Sequence, residues 1–124
     1  MPVTFRSFLA ALPVAALAFA SMPAAAAGPD GETVFRQRCQ SCHGTPQRPS
    51  PLGPNLTGVV GRKAASAPFA YSPALKASGL TWNRATLDRF LTAPARTVPG
   101  TRMVISLPDA AQRAAVLDYL TTRR

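Results

Sequence analysis

The sequence predicts an all-α fold of several short helices joined by long loops, on three observations. Strand-like alternation is weak throughout, whereas apolar residues recur at helical spacing around Leu87, Phe90 and Leu91 and again around Val116, Leu117 and Leu120. Thirteen prolines in 124 residues cut any regular structure short. Both cysteines and the only histidine fall in one pentapeptide, Cys39-Gln40-Ser41-Cys42-His43, which concentrates the chemistry of the chain in a single place.

Taken in order, the chain opens with one cation, Arg6, and an apolar run from Phe8 to Ala20. The run is shorter than the roughly 20 residues of a membrane span. Ser21-Met22-Pro23-Ala24-Ala25-Ala26-Ala27 follows and offers Ala-x-Ala cleavage near Ala26 or Ala27. Residues 1–27 therefore read as a secretory signal peptide. The alternative is an uncleaved anchor, which Pro13 and the shortness of the run oppose. Residues 28–124 form one domain, exported from the cytoplasm.

In that domain Asp30 can cap a helix carrying Glu32 in its first turn, both placed to meet the positive helix end. Val34, Phe35 and Cys39 give this helix its apolar edge. From Gly44 to Gly61, prolines 46, 49, 51 and 54 alternate with glycines and impose an irregular loop. Ser72-Pro73 starts a short helix that Gly79 ends. Asn83 or Thr81 starts another, closed by Pro94. Pro108-Asp109-Ala110-Ala111-Gln112 resembles a capping box that opens the last helix.

The pentapeptide has the spacing of a c-type haem attachment site. Cysteines three apart at a helix end share one face, so both sulfurs can add to the two vinyl groups of one haem edge. His43 follows and can ligate the iron. The rival readings are a thioredoxin-like redox pair, half a zinc site and a disulfide. A zinc site wants four N or S ligands and the chain owns only three Cys and His residues. A redox pair normally follows a strand in a βαβ pattern, which is missing here. A covalent macrocycle also supplies the staple that so small a core needs, and the haem-free chain is expected to be largely unfolded.

The other axial position follows from counting. Met1 and Met22 leave with the signal, so Met103 is the sole methionine of the mature chain, on the Pro99-Gly100-Thr101-Arg102-Met103 loop. Met103 is therefore the natural candidate for the second metal ligand, the alternative being a core methionine that fills a gap.

Charge limits the partners. The full chain is formally +9; without Arg6, 13 basic residues face five acidic ones, and 11 of the 13 are arginines. Nucleic acid fits poorly with an exported protein, which leaves an anionic membrane surface, an acidic protein, or simply a solvated basic surface, since the charge is spread along the chain.

These residues together resemble class I cytochrome c, of the mitochondrial and bacterial c2 type. The resemblance is carried by Cys39-x-x-Cys42-His43, Gly53-Pro54-Asn55-Leu56 through Gly61-Arg62-Lys63, Tyr71, Gly79-Leu80-Thr81-Trp82 and Pro99-Gly100-Thr101-x-Met103. It implies the cytochrome c fold, with short helices and long loops wrapped round one covalent haem c. It implies further that the Pro54 carbonyl accepts a hydrogen bond from the ligating histidine. Tyr71, Trp82 and Arg62 would contact the haem propionates, and Thr101 the surroundings of Met103 and an inner propionate. Three departures stand out. Phe90 replaces a tyrosine common near the methionine and Leu75 replaces a polar residue, and both make the pocket less polar. Val104-Ile105-Ser106-Leu107 lacks the glycine often found there.

The function implied is that of a periplasmic, monomeric one-electron carrier between a redox donor and a redox acceptor, with no catalytic residues. Arg38, Arg96 and Arg102 flank the attachment site or the methionine loop and are candidates for a cationic rim facing acidic docking surfaces. The alternatives are a cytochrome subunit dedicated to one dehydrogenase or oxidase complex, and a haem peroxidase. The peroxidase would need an open distal site and a distal acid or base, for which no second histidine exists.

Overall fold

The computed structural model describes residues 1–2 and 26–124, so most of the signal peptide read over residues 1–27 lies outside the described residues. Six helices follow in order: α1 Gly31–Arg38, α2 Gln40–His43, α3 Pro73–Ala77, α4 Arg84–Thr92, α5 Pro94–Thr97 and α6 Ala110–Thr122. Among the described residues the only β-pairing is two isolated bridges, Thr45 with Arg48 and Lys63 with Thr81, as the all-α expectation requires. No helix among them is long and apolar enough to cross a membrane.

Each main helix starts at a residue whose side chain can replace a missing intrahelical acceptor. Asp30 accepts from the Thr33 amide at 2.8 Å, Ser72 from Leu75 at 3.2 Å, Asn83 from Thr86 at 2.9 Å and Asp109 from Gln112 at 2.7 Å. Asn83, rather than Thr81, is thus the cap of α4. Pro94 closes α4, and it also opens the single turn α5, which the sequence pattern did not show. Its fixed φ suits a first helical position as well as it obstructs the helix before it.

The core lies where α1 crosses α6 and where α4 backs onto α6. Val34 and Phe35 meet Val116, Leu117 and Leu120, with Val116 and Leu117 fully buried. Gly31 sets how close the crossing is, because a Cβ there would collide with the Ala115 carbonyl and Tyr119. Phe35 packs on Tyr119 with ring centroids 5.5 Å apart, and the Arg123 guanidinium covers both rings. On the α4 side, Trp82 lies 4.9 Å from Phe90. This three-helix frame carries two long excursions, residues 44–72 and 98–109, which supply the candidate site together with the turn at residues 39–43 and Trp82.

Candidate functional site

Cys39 ends α1 and starts α2, with a φ of −120° that bends the chain between the two helices. The Cys42 and His43 amides both donate to the Cys39 carbonyl, at 3.2 and 3.0 Å, so the pentapeptide is wound into one tight turn. Gly44 then reverses the chain with φ +61°, and a Cβ there would meet the backbone of Arg48 and Ser50. The close approach of backbone, as well as the positive φ, calls for glycine at this position.

Both thiols are free. Cys39 packs against the hydrophobic core, and burial pushes its thiol up to about 11, with Arg38 pulling weakly the other way. A thiol held this far above its usual range is a poor thiolate at neutral pH and unlike the activated cysteine of a redox pair.

His43 Nδ1 donates to the Pro54 carbonyl at 2.8 Å. A carbonyl can only accept, so Nδ1 carries the hydrogen and Nε2 keeps its lone pair. Burial pushes the imidazole below its ordinary value, against the Pro54 hydrogen bond that pulls it up. Neutrality, a fixed tautomer and a free Nε2 are what a metal-binding imidazole requires. Gly53 is buried beside it, and a Cβ there would stand 3.0 Å from both His43 Nδ1 and the Cys42 carbonyl. The sequence offered no sign of this contact beyond the glycine itself.

Arg62 and Trp82 are brought together by their backbones: Trp82 N–H donates to the Arg62 carbonyl and Gly61 N–H to the Trp82 carbonyl, each at 2.8 Å. The Arg62 guanidinium turns back on its own loop and donates to the carbonyls of Asn55 and Thr57, both at 3.1 Å. Its Nε and the Thr57 hydroxyl are buried with no hydrogen-bond partner among the described residues. Buried donors are normally satisfied, and a guanidinium nitrogen and a hydroxyl on the same loop are both donors that suit a carboxylate, the group that a haem propionate would present. On this observation and on the donor set of two thiols, an imidazole and a thioether, the residues fit the haem.

Tyr71 is buried, lies edge-on to Phe69 at 5.2 Å and accepts the Ala67 amide on its hydroxyl at 3.2 Å. Among the described residues no hydrogen bond joins it to Arg62, Trp82 or Thr101. Thr101 Oγ1 accepts the Met103 amide at 3.3 Å, and both residues line a cleft of about 300 Å³ with Arg96 and Val104. Met103 packs against the core. Phe90 is buried against Trp82, and Leu75 lies at the core margin, so the two departures from the family pattern both sit on apolar contacts. Arg38, Arg96 and Arg102 are exposed, although Arg38 also donates to the Ser106 carbonyl at 3.4 Å and Arg102 to the Ala70 carbonyl at 3.0 Å. Exposed apolar residues flank the same region: Leu52 before Gly53, and Val104 and Ile105 after Met103.

Comparison with known proteins places this arrangement. The family model described as Cytochrome c matches residues 29–124. A cytochrome c2 of Rhodomicrobium vannielii is 46% identical over 114 residues, covering 88% of this chain and 90% of that protein. A cytochrome c2 of Rhodoblastus acidophilus is 46% identical over 100 residues, or 77% and 92% of the two chains. Among solved structures, cytochrome cH from Methylobacterium extorquens superimposes with a TM-score of 0.67 at 40% identity, over 74% of this chain and 94% of that one. Cytochrome c2 from Rhodospirillum centenum gives 0.69 at 33% identity, over 75% and 94%.

Proposed function

The chain belongs to the cytochrome c family, with one covalent haem c, and we propose that it is a periplasmic one-electron carrier whose haem iron is closed by His43 and Met103. Cys39 and Cys42 hold the haem through thioethers. His43 would supply one nitrogen ligand to the iron and Met103 a sulfur ligand, and Arg62 and Thr57 would meet a propionate. The haem contributes the exchangeable electron; the chain's own residues fix its potential and its access.

The observation that carries this reading is the 2.8 Å hydrogen bond from His43 Nδ1 to the Pro54 carbonyl, in a chain whose only methionine after residue 25 is Met103. The carbonyl holds the ring in one tautomer and raises its basicity. A neutral thioether opposite it favours the ferrous state and raises the potential. With both axial positions taken, oxygen and peroxide have no open place to bind, and little has to move when the electron arrives or leaves.

Docking follows from the surface round the site. Leu52, Val104 and Ile105, exposed next to Gly53 and Met103 in sequence, would give a small apolar contact, with the exposed Arg38, Arg96 and Arg102 supplying positive charge. Such a patch suits brief encounters with acidic redox partners by a monomer exported without its residues 1–27, because charge steers association and a small apolar centre lets the complex part again. The reading is tested by adding carbon monoxide to the reduced protein. A closed iron leaves the spectrum unchanged at concentrations that saturate an open haem; ready binding would overturn the carrier and favour a haem enzyme.

A further inference from the structure

The span from Val98 to Pro108 has two differently built ends. At its start Val98 is buried and donates to the Pro94 carbonyl at 2.9 Å, and Thr101 donates to Val98 at 3.0 Å. At its far end Leu107 is 4% exposed and donates to the Leu91 carbonyl of α4 at 2.7 Å. Between Met103 and Leu107, Val104 and Ile105 stand exposed with no hydrogen bond to the frame among the described residues.

The far end is closed by Arg113, one turn into α6. Its Nη1 donates to the carbonyls of Leu107 and Pro108, at 3.0 and 2.6 Å, and its Nε donates to Asp88 Oδ1 of α4 at 2.9 Å. The side chain is only 12% exposed. One guanidinium thus joins α4, α6 and the last residues of the methionine span. A second pair, Arg84 with Asp118 at 2.6 Å, also bridges α4 and α6, but its side chains are 50% and 72% exposed and it touches no residue of that span.

We infer that Arg113, oriented by Asp88, is a positioning residue that holds the Met103 span against the haem. The inference rests on Met103 being the axial ligand. A thioether is a weak neutral ligand on a flexible side chain, so its residence on the iron depends on how firmly the backbone behind it is held. Asp88 fixes the guanidinium, and the guanidinium fixes two carbonyls at the point where the exposed stretch rejoins the frame. Removing Asp88 leaves the mostly buried Arg113 guanidinium without its carboxylate, removing Arg113 takes the donors from both carbonyls, and either change loosens that end of the span.

The test uses the oxidised holoprotein and imidazole, which competes with Met103 for the iron. Asp88→Asn and Arg113→Gln are expected to bind imidazole about ten-fold more tightly than wild type, the scale of one lost hydrogen bond to a charged group. Arg113→Lys, which keeps the charge opposite Asp88, recovers part of the difference. Asp118→Asn leaves imidazole affinity unchanged, whatever it does to the denaturant midpoint. Wild-type affinity in Asp88→Asn, which keeps the side-chain shape and serves if Arg113→Gln fails to fold, overturns the inference. So does an equal shift in Asp118→Asn, which would reduce Arg113 to a general clamp between helices. A wild type lacking the far-red sulfur-to-iron band would instead overturn Met103 ligation itself, and the positioning role with it.

Discussion

On the His43 side, the contacts that set the imidazole come from the nearby chain: the turn at Cys39, Gly44 behind it, and Gly53 and Pro54 no more than eleven residues on. On the Met103 side the supports come from α1, α4 and α6 and from the Ala70 segment, up to 68 residues away in sequence. The first side is a local motif, and the second is a product of the tertiary fold. A local motif keeps its geometry for as long as its own turn survives, whereas a loop held by distant anchors is released when any one of them fails. The methionine is therefore expected to be the ligand lost first under stress, with the histidine retained until global unfolding.

The sharpest way to break that comparison is Leu107→Ala. Deleting a buried leucine costs about 2–5 kcal/mol, and here the loss falls on the anchor of the methionine span. Denaturant titration followed at the far-red band should show methionine release well before the loss of helix; coincident transitions would mean that the span and the frame fail as one unit.

Gly53→Ala strikes the opposite side. The new Cβ would crowd His43 Nδ1 and the Cys42 carbonyl, each at 3.0 Å, and overpacking of this kind costs about 1–3 kcal/mol. Circular dichroism should record the loss as one cooperative shift to lower denaturant with the methionine band intact up to that point. Early loss of the band in this variant would contradict the separation of the two sides.

Acidification gives a smaller effect with a fixed sign. Burial holds His43 below its ordinary value of 6.5, so the folded protein keeps the imidazole neutral while the unfolded chain takes up a proton. Stability is therefore undiminished above about 6.5 and falls as the pH drops below it, because the unfolded state binds more protons. Iron ligation acts in the same direction, since metal and proton compete for Nε2. Guanidinium midpoints measured from about pH 8 down to about pH 5 should decline; a midpoint that rises on acidification would contradict the assignment.

The difference between the two sides also explains what the sequence made legible. Cys39, Cys42 and His43 announce their chemistry because all three residues sit in one turn. The caps Asp30, Ser72, Asn83 and Asp109 were equally readable, since each satisfies an amide three residues on. Arg113 was not: nothing near it in sequence distinguishes it from a solvated arginine, and its meaning comes from Asp88, 25 residues earlier. Arg62 alone read as an ordinary surface cation, with a propionate role implied only by the family resemblance, and nothing marked it as the donor that ties down the carbonyls of Asn55 and Thr57. The turn α5 was hidden because one proline both stops a helix and starts the next. Gly53 showed only as a glycine in a loop, and its packing against His43 needed the fold.

The most direct measurement is the optical spectrum of the purified ferric protein beside that of Met103→Ala. Wild type should be low-spin with a weak far-red sulfur-to-iron band, and the variant should lose the band and bind exogenous ligands while keeping its covalent haem. A high-spin wild-type spectrum, or a band that survives in Met103→Ala, would contradict a His43/Met103 site.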